Sequence, residues 1–305
     1  MSKKTTGHTA MLIGYIFFGM NLNISKYVLD ASVNPMGLNG IRFLFGALAF
    51  WFLSLFKQER VERKDLIVLF LASLFGLLIN QVLFFQGLTR TSPIDSSVIT
   101  TSIPIITMLL SALILKEPIT WLKVLGVIIG ATGAILLVFS SQQAVGNGAG
   151  NMLGNLLVFG SCFSFSVYLV VIKPIIHKYS PITIMKWMFL FAAVPFVPFN
   201  IGNMRSIPFD QLSSDALLSL GYILVFATVI PYLLVPIGQR YLRPTTVAMY
   251  NYVQPLVAAI LATFLGQDVY TLPKAFAAVL VFSGVYLVTR SKSRADLEKN
   301  SPHEA

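Results

Sequence analysis

Ten apolar blocks, separated by short charged patches, follow one another along the chain. About 20 helical residues are needed to cross the hydrocarbon core of a bilayer. Backbone N–H and C=O groups in lipid must be satisfied within the spanning structure, so blocks of this length read as helices. The predicted spans are Thr9–Val28, Pro35–Phe56, Leu66–Leu88, Asp95–Leu115, Trp121–Ser140, Met152–Ile172, Pro181–Pro198, Ala216–Ile237, Pro244–Gly266 and Leu272–Thr289. Only 11% of the residues are charged, whereas a soluble domain carries about 25%. The fold class expected is an all-α integral membrane protein of ten transmembrane helices. The first block is full length and the next follows at once, so it reads as a retained helix rather than a cleaved leader.

The positions of the charges carry more than their sum. The net charge of +10 is divided among patches between apolar blocks, a pattern that points to a lipid bilayer and not to nucleic acid. Threading ten helices puts sixteen Lys and Arg on one side, around residues 3–4, 57–64, 116–123, 173–178, 240–243 and 290–299. The other side holds four, Lys26, Arg90, Arg205 and Lys274. The basic side is the cytoplasmic one by the positive-inside rule. Both termini are therefore expected in the cytoplasm, with the protein in the cell (plasma or inner) membrane.

The chain also repeats. A shift of 151 residues brings Gly87 onto Gly238, Pro93 onto Pro244, Pro104 onto Pro255, Glu117 onto Asp268, Thr120 onto Thr271, Lys123 onto Lys274 and Gly133 onto Gly284. The start of each half aligns more loosely, Gly19 near Gly160 and Asn34-Pro35 near Ser180-Pro181. A unit of five helices is odd in number, so its second copy enters the membrane upside down. Inverted repeats are typical of secondary transporters, whose substrate sites lie near the midplane between the copies. The expected units are residues 9–140 and 152–290, followed by a cytoplasmic tail, 291–305.

Several of these residues carry a family pattern. The run from Pro104-Ile105-Ile106 through Leu115-Lys116-Glu117-Pro118, then Gly126, Gly130 and Gly133, resembles the end of an EamA-type repeat of the drug/metabolite transporter superfamily. Lys26 at the end of the first helix, with Pro35 and Arg42 in the second, resembles the opening of that repeat. The second copy departs from the pattern: Gln267-Asp268 stands where a glutamate is usual, and Arg42 has no equivalent in the seventh helix. The resemblance spans about residues 10 to 290. It implies a ten-helix carrier, often an exporter of amino acids or related metabolites.

Polar groups at membrane depth are the candidate site. Intramembrane charge costs at least about 2.5 kcal/mol at a helix centre. Arg42 could hold a substrate carboxylate bidentately, or it could serve structure by snorkelling or binding loop carbonyls. Asn21, Asn39, Asn80, Gln81, Thr101, Tyr250, Asn251 and Gln254 could line a polar cavity or simply link helices. Tyr250 and Tyr252 could stack on a substrate ring. Pro104 and Pro255 each remove a helix hydrogen bond and free a carbonyl four residues earlier, at Thr100 and Asn251. They read as paired kinks on the path, or as bends for packing. Lys186 lies near the end of its helix and can snorkel, and Trp51, Trp121 and Trp187 read as interface anchors. Gly126, Gly130 and Gly133 suit close packing within the chain, or a homodimer face.

No acidic residue lies well inside a predicted span, and His8, His177 and His303 fall outside all of them. A carboxylate-based proton antiporter is therefore disfavoured. The single cysteine, Cys162, can form neither a disulfide nor a cysteine metal site within one chain. No phosphate-binding loop and no metalloprotease motif is present. The expectation is a cofactor-free, metal-free, non-enzymatic carrier of a small molecule, monomeric or weakly dimeric. A carrier of phosphorylated anions ranks second, because it would call for several basic groups. A membrane enzyme or sensor ranks third.

Overall fold

A computed structural model describes residues 2–91, 93–140, 152–264 and 272–292. The loop of residues 141–151, Gly266, Gln267, Asp268, Thr271, most of the tail, and the side chains of Lys26 and Asp95 lie outside that description. The described residues form helices throughout: α1 (Lys3–Asp30), α2 (Pro35–Ser54), α3 (Arg63–Ser73), α4 (Asn80–Leu88), α5 (Pro93–Thr100), α6 (Ile103–Leu115) and α7 (Trp121–Ser140). The chain continues as α8 (Met152–Val171), α9 (Pro181–Arg205), α10 (Ser214–Leu224), α11 (Ile230–Tyr241), α12 (Pro244–Met249), α13 (Val253–Phe264) and α14 (Leu272–Arg290). Among the described residues, seven stretches are long and apolar enough to cross a membrane: Pro35–Ser54, Arg63–Leu88, Val98–Leu115, Met152–Val171, Pro181–Arg205, Ser214–Tyr241 and Leu272–Arg290. A shorter apolar helix covers Trp121–Leu136.

Helix starts follow from capping chemistry. The Asn34 side chain accepts the Gly37 N–H at 2.6 Å, and Ser180 Oγ accepts the Thr183 N–H at 3.3 Å. In both cases a proline follows at the first helical position, where its missing N–H is no loss. Two predicted boundaries need correction. The first helix starts at Lys3, so His8 lies within it and not before it. The seventh predicted helix does not stop at Pro198, because α9 runs through Pro195 and Pro198 to Arg205. Each proline deletes one ladder bond, and the turns packed along α2 hold the helix on both sides. Lys123 and Lys274 also need correction as loop charges, since both are buried. Lys123 pairs with Glu117 at 3.2 Å and donates to the Pro118 carbonyl at 2.8 Å. One residue leaves each set, so the charge asymmetry stands.

Irregular backbone recurs at the repeat spacing. A π-helical turn, Leu74–Ile79, joins α3 to α4, and a second, Val225–Val229, joins α10 to α11, so the two begin 151 residues apart. Thr101 and Ser102 separate α5 from α6, while a 3₁₀ turn, Tyr250–Tyr252, joins α12 to α13. Pro104 and Pro255 therefore sit in the first turn of a new helical segment rather than mid-helix.

Packing is reciprocal as well. A Cβ on Gly126 would meet the Gly284 carbonyl at 2.9 Å, and one on Gly133 would meet the Ala277 carbonyl at 2.8 Å. Gly284 is Gly133 shifted by one repeat, and Ala277 is Gly126 shifted likewise. The glycines thus let α7 and α14 touch backbone to backbone within the chain. Residues at the same repeat position also meet directly. Gln81 Nε2 donates to the Tyr232 hydroxyl at 2.6 Å, and the Tyr252 hydroxyl donates to the Thr101 carbonyl at 3.1 Å, each pair 151 apart. Elsewhere, α2 and α9 pack through Phe50 on Phe189 and Phe43 on Phe196, each with ring centroids 5.2 Å apart.

Candidate functional site

A cavity of about 130 Å³ is lined by residues of α1, α2, α4, α5, α6, α8, α11, α13 and the 3₁₀ turn. Of the residues singled out from sequence, it brings together Asn21, Arg42, Asn80, Gln81, Asn251 and Gln254. Thr100 and Asn251, four residues before the two prolines, both line it. Asn39, Thr101 and Tyr250 lie outside the lining. Asn39 reaches the Gln81 carbonyl at 3.5 Å, Thr101 bonds back to the Val98 carbonyl at 2.7 Å, and the Tyr250 hydroxyl meets His8 Nδ1 at 2.7 Å. Tyr252 is held by Thr101 and likewise does not face the cavity.

The rest of the wall was not anticipated. It includes Tyr15, Phe18, Ser25, Phe84, Phe85, Ser161, Cys162, Phe165 and Tyr232. The Phe residues carry no sequence signal in a chain with 24 of them. Tyr232 did have one: it is the repeat counterpart of Gln81. Ser25 follows Asn21 by one helical turn and donates to its side-chain oxygen at 3.1 Å.

Arg42 is the one cation in the described lining. It is 3% exposed. Its Nε donates to Thr228 Oγ1 at 3.1 Å and its Nη2 to the Ala227 carbonyl at 3.5 Å, both within the second π turn. A π turn spaces its carbonyls differently from an α-helix, and here it presents one to the guanidinium. The guanidinium lies 5.6 Å from the centre of the Phe85 ring, close enough for a cation–π contact. Among the described residues no carboxylate pairs with it. Five hydrogen-bond donors are available on a guanidinium, so capacity remains for a ligand. Lys186, by contrast, is turned away from this site, with its Nζ 4.8 Å from the Trp51 ring and 5.7 Å from the Trp187 ring.

The cavity thus combines a buried cation, several amides and an aromatic wall. The model of the EamA-like transporter family matches residues 5–139 and again 152–290. The chain belongs to the EamA-like transporter family. This EamA-like protein is 26% identical over 280 residues to an uncharacterized transporter of Archaeoglobus fulgidus, covering 90% of this chain and 96% of that one. It is 27% identical over 292 residues to the uncharacterized transporter YdfC of Bacillus subtilis, covering 93% and 92%. A WAT1-related protein of Arabidopsis thaliana is 26% identical over 320 residues, covering 94% and 86%. A solved crystal structure superimposes with a TM-score of 0.75 at 18% identity, over 94% of this chain and 96% of the other, which bears on the fold alone. EamA-like proteins are membrane transporters, so a small-molecule substrate and embedding in a membrane, as expected of a cell-membrane protein, come with membership.

One end of the bundle is tied across by hydrogen bonds. Lys173 Nζ donates to the Gln239 and Leu242 carbonyls, both at 2.9 Å. Arg240 Nε donates to the Ile176 carbonyl at 2.9 Å, and its Nη2 donates to the Tyr179 carbonyl. The Tyr168 hydroxyl donates to Gln239 Oε1 at 3.2 Å. These bonds tie the segment after α8 to the end of α11. The start of α1 is at this end too, with Gly7 against Tyr241 and Leu242, and so is the end of α14, where Arg243 donates to the Lys292 carbonyl at 3.0 Å.

Proposed function

We propose that the protein is a secondary carrier of small carboxylate-bearing metabolites, and that two inverted five-helix units alternate the cavity between the two faces of the membrane. The observation that carries this reading is the placement of Arg42 in a cavity also lined by Gln81 and Tyr232, which stand one repeat apart and touch. A buried cation with unused donors is costly unless it serves a ligand, and a site on a two-fold between inverted repeats can be reached from either side. In this reading all ten blocks span the bilayer, both termini are cytoplasmic, and the chain acts as a monomer. The family resemblance suggests amino acids or related metabolites among the carboxylate-bearing substrates, with export as the direction. Phosphorylated anions rank lower because the described lining offers a single cation. The absence of a catalytic cluster in that lining favours a carrier over an enzyme.

The symmetry also says which contacts change. Exchanging the roles of the two units maps Gln81 onto Tyr232 and Thr101 onto Tyr252, so these contacts survive the exchange. The bonds from Lys173 and Arg240 have no partners related in this way and must break when the cavity opens at their end. Two measurements test the reading. Purified protein in liposomes should carry labelled carboxylates, and Arg42→Ala should abolish that flux while the protein still folds. Unchanged kinetics in that variant would return Arg42 to a structural role. Separately, thiols introduced by Arg60→Cys and Arg205→Cys, with Cys162→Ser, should be labelled from opposite faces of the membrane. Labelling from one face would undo the inverted arrangement.

A further inference from the structure

We infer that the cavity selects carboxylates that carry no ammonium group, so that organic-acid anions are preferred over the amino acids of the same skeleton. The inference rests on the carrier reading and deepens it. The described lining holds one positive charge, Arg42, and no aspartate or glutamate. The four ion pairs among the described residues all lie away from it, at Lys57–Glu59, Lys64–Glu62, Lys123–Glu117 and Lys178–Asp65. A carboxylate on the guanidinium balances the charge of the site. The α-ammonium of an amino acid sits beside its own carboxylate, so it would enter next to Arg42 as a second cation in a place with no counter-charge. Removing a cation from water without pairing it is strongly unfavourable, and a like charge nearby adds to that.

Neutral acceptors supply no counter-charge, and two amide oxygens of the wall already accept a bond: Asn21 Oδ1 from Ser25, and Asn251 Oδ1 from Gln254 Nε2 at 3.1 Å. Gln81 Oε1 has no partner, but it is enclosed. The remainder of the wall is aromatic: Phe18, Phe84, Phe85, Phe165 and Tyr232 surround the space in front of Arg42. The volume, about 130 Å³, suits one ring, since an apolar cavity of about 150 Å³ holds benzene. The chemistry favoured is a monocarboxylate on a flat apolar body.

Three probes share a phenyl ring and a short chain and differ in the ionic groups they carry: 3-phenylpropionate (carboxylate), phenylalanine (carboxylate and ammonium) and 2-phenylethylamine (ammonium). Binding to the purified full-length protein, measured by calorimetry or thermal shift, should be at least about tenfold tighter for phenylpropionate than for phenylalanine, a difference of about 1.4 kcal/mol. Phenylethylamine should not bind. Arg42→Gln should remove the preference. Asn21→Asp, which puts an acid on the wall, should shift it toward phenylalanine, and this variant keeps the test open if Arg42→Gln fails to fold. Equal or tighter binding of phenylalanine, or no binding of either acid to folded protein, would overturn the inference. Flux separates it from the carrier reading. Selective binding without flux in liposomes removes the carrier and leaves the selectivity, whereas flux of phenylalanine as fast as phenylpropionate, with equal binding, removes the selectivity and leaves the carrier.

Discussion

The two ends of the molecule are built from corresponding segments and are held differently. At one end, the segment after α8 is bound to residues Gln239–Leu242 through Lys173 and Arg240. At the other, the corresponding segments are residues 30–35 and 88–91, and they line an open groove of about 580 Å³. Leu88 lines both this groove and the cavity, so the two adjoin at that residue. The chemical difference is small. Thr89 stands at the repeat position of Arg240, and the neighbouring Arg90 bonds back to its own helix, to the Gln86 carbonyl at 2.8 Å. In the carrier reading proposed above, a long cation that reaches across closes an end, while a hydroxyl, or a cation turned onto its own turn, leaves it open; the two repeats would then take their direction from a few side chains that differ between them.

The flanking contacts teach the converse. Asn34 Nδ2 donates to the Asn203 carbonyl at 3.0 Å at the open end, and the Ser180 N–H donates to Glu59 at 2.8 Å at the closed end. Asn34 and Ser180 are loosely aligned repeat positions, so this contact between α2 and its neighbour is present at both ends at once. In the alternating-access reading it belongs to the frame and not to the gate.

The largest effect expected is from fixing that distinction covalently. In a Cys162→Ser background, a short thiol crosslinker joining Lys173→Cys to Leu242→Cys should abolish flux. The same reagent joining Asn34→Cys to Asn203→Cys should leave flux intact. Equal inhibition by both, or by neither, would erase the difference between frame and gate. A smaller effect is expected from Arg240→Gln. It removes two charge-assisted bonds, and the rate at which reagent from that end reaches Cys162 should rise about tenfold, the equivalent of roughly one or two net hydrogen bonds. An unchanged labelling rate would mean that Arg240 does not hold the end shut.

The smallest expected effect is on pH. Burial, followed by Lys173 and Arg240, holds the His177 imidazole below its ordinary value. The closed arrangement therefore binds fewer protons there than one in which those cations have moved away. Its advantage is present above the ordinary imidazole range, near pH 6.5, and is lost as pH falls through it. Acidification from pH 8 to 5.5 should shift the population toward opening at this end, on the order of twofold, and His177→Gln should flatten that response. Glu59 acts in the same direction at lower pH. Burial alone would raise its carboxyl, but the Ser180 N–H, the Thr183 and Ser180 hydroxyls and Lys57 together hold it below its ordinary value. Its contribution to the frame is lost only as pH falls through the carboxylate range.

Much of this was written locally. Trp121–Ser140 was predicted with the same bounds that α7 has, and Asn34-Pro35 and Ser180-Pro181 marked helix starts because cap and proline act within one turn. Asn21, Arg42, Asn80, Gln81, Asn251 and Gln254 stood out as candidates because a polar group in an apolar block is conspicuous. The π turns were not legible, since one extra residue in a turn leaves no compositional mark. Nor was the reach of α9 past two prolines, where packing on α2 overrides the local penalty. Tyr250 and Asn39 are polar residues of the same kind as those in the lining, yet they lie outside it.

Sequence alone determined that the chain is apolar helices with a repeat of 151 residues, because segment length, capping and periodicity are local properties. It also placed the rare polar groups along those helices. Only the tertiary structure decided which of them meet. Whether Gln81 faces Tyr232, whether Arg42 finds a π turn and no carboxylate among the described residues, and which end is bound shut depend on rotation and register between helices. Those are set by backbone contacts such as Gly126 on Gly284, and by side chains far apart in the chain.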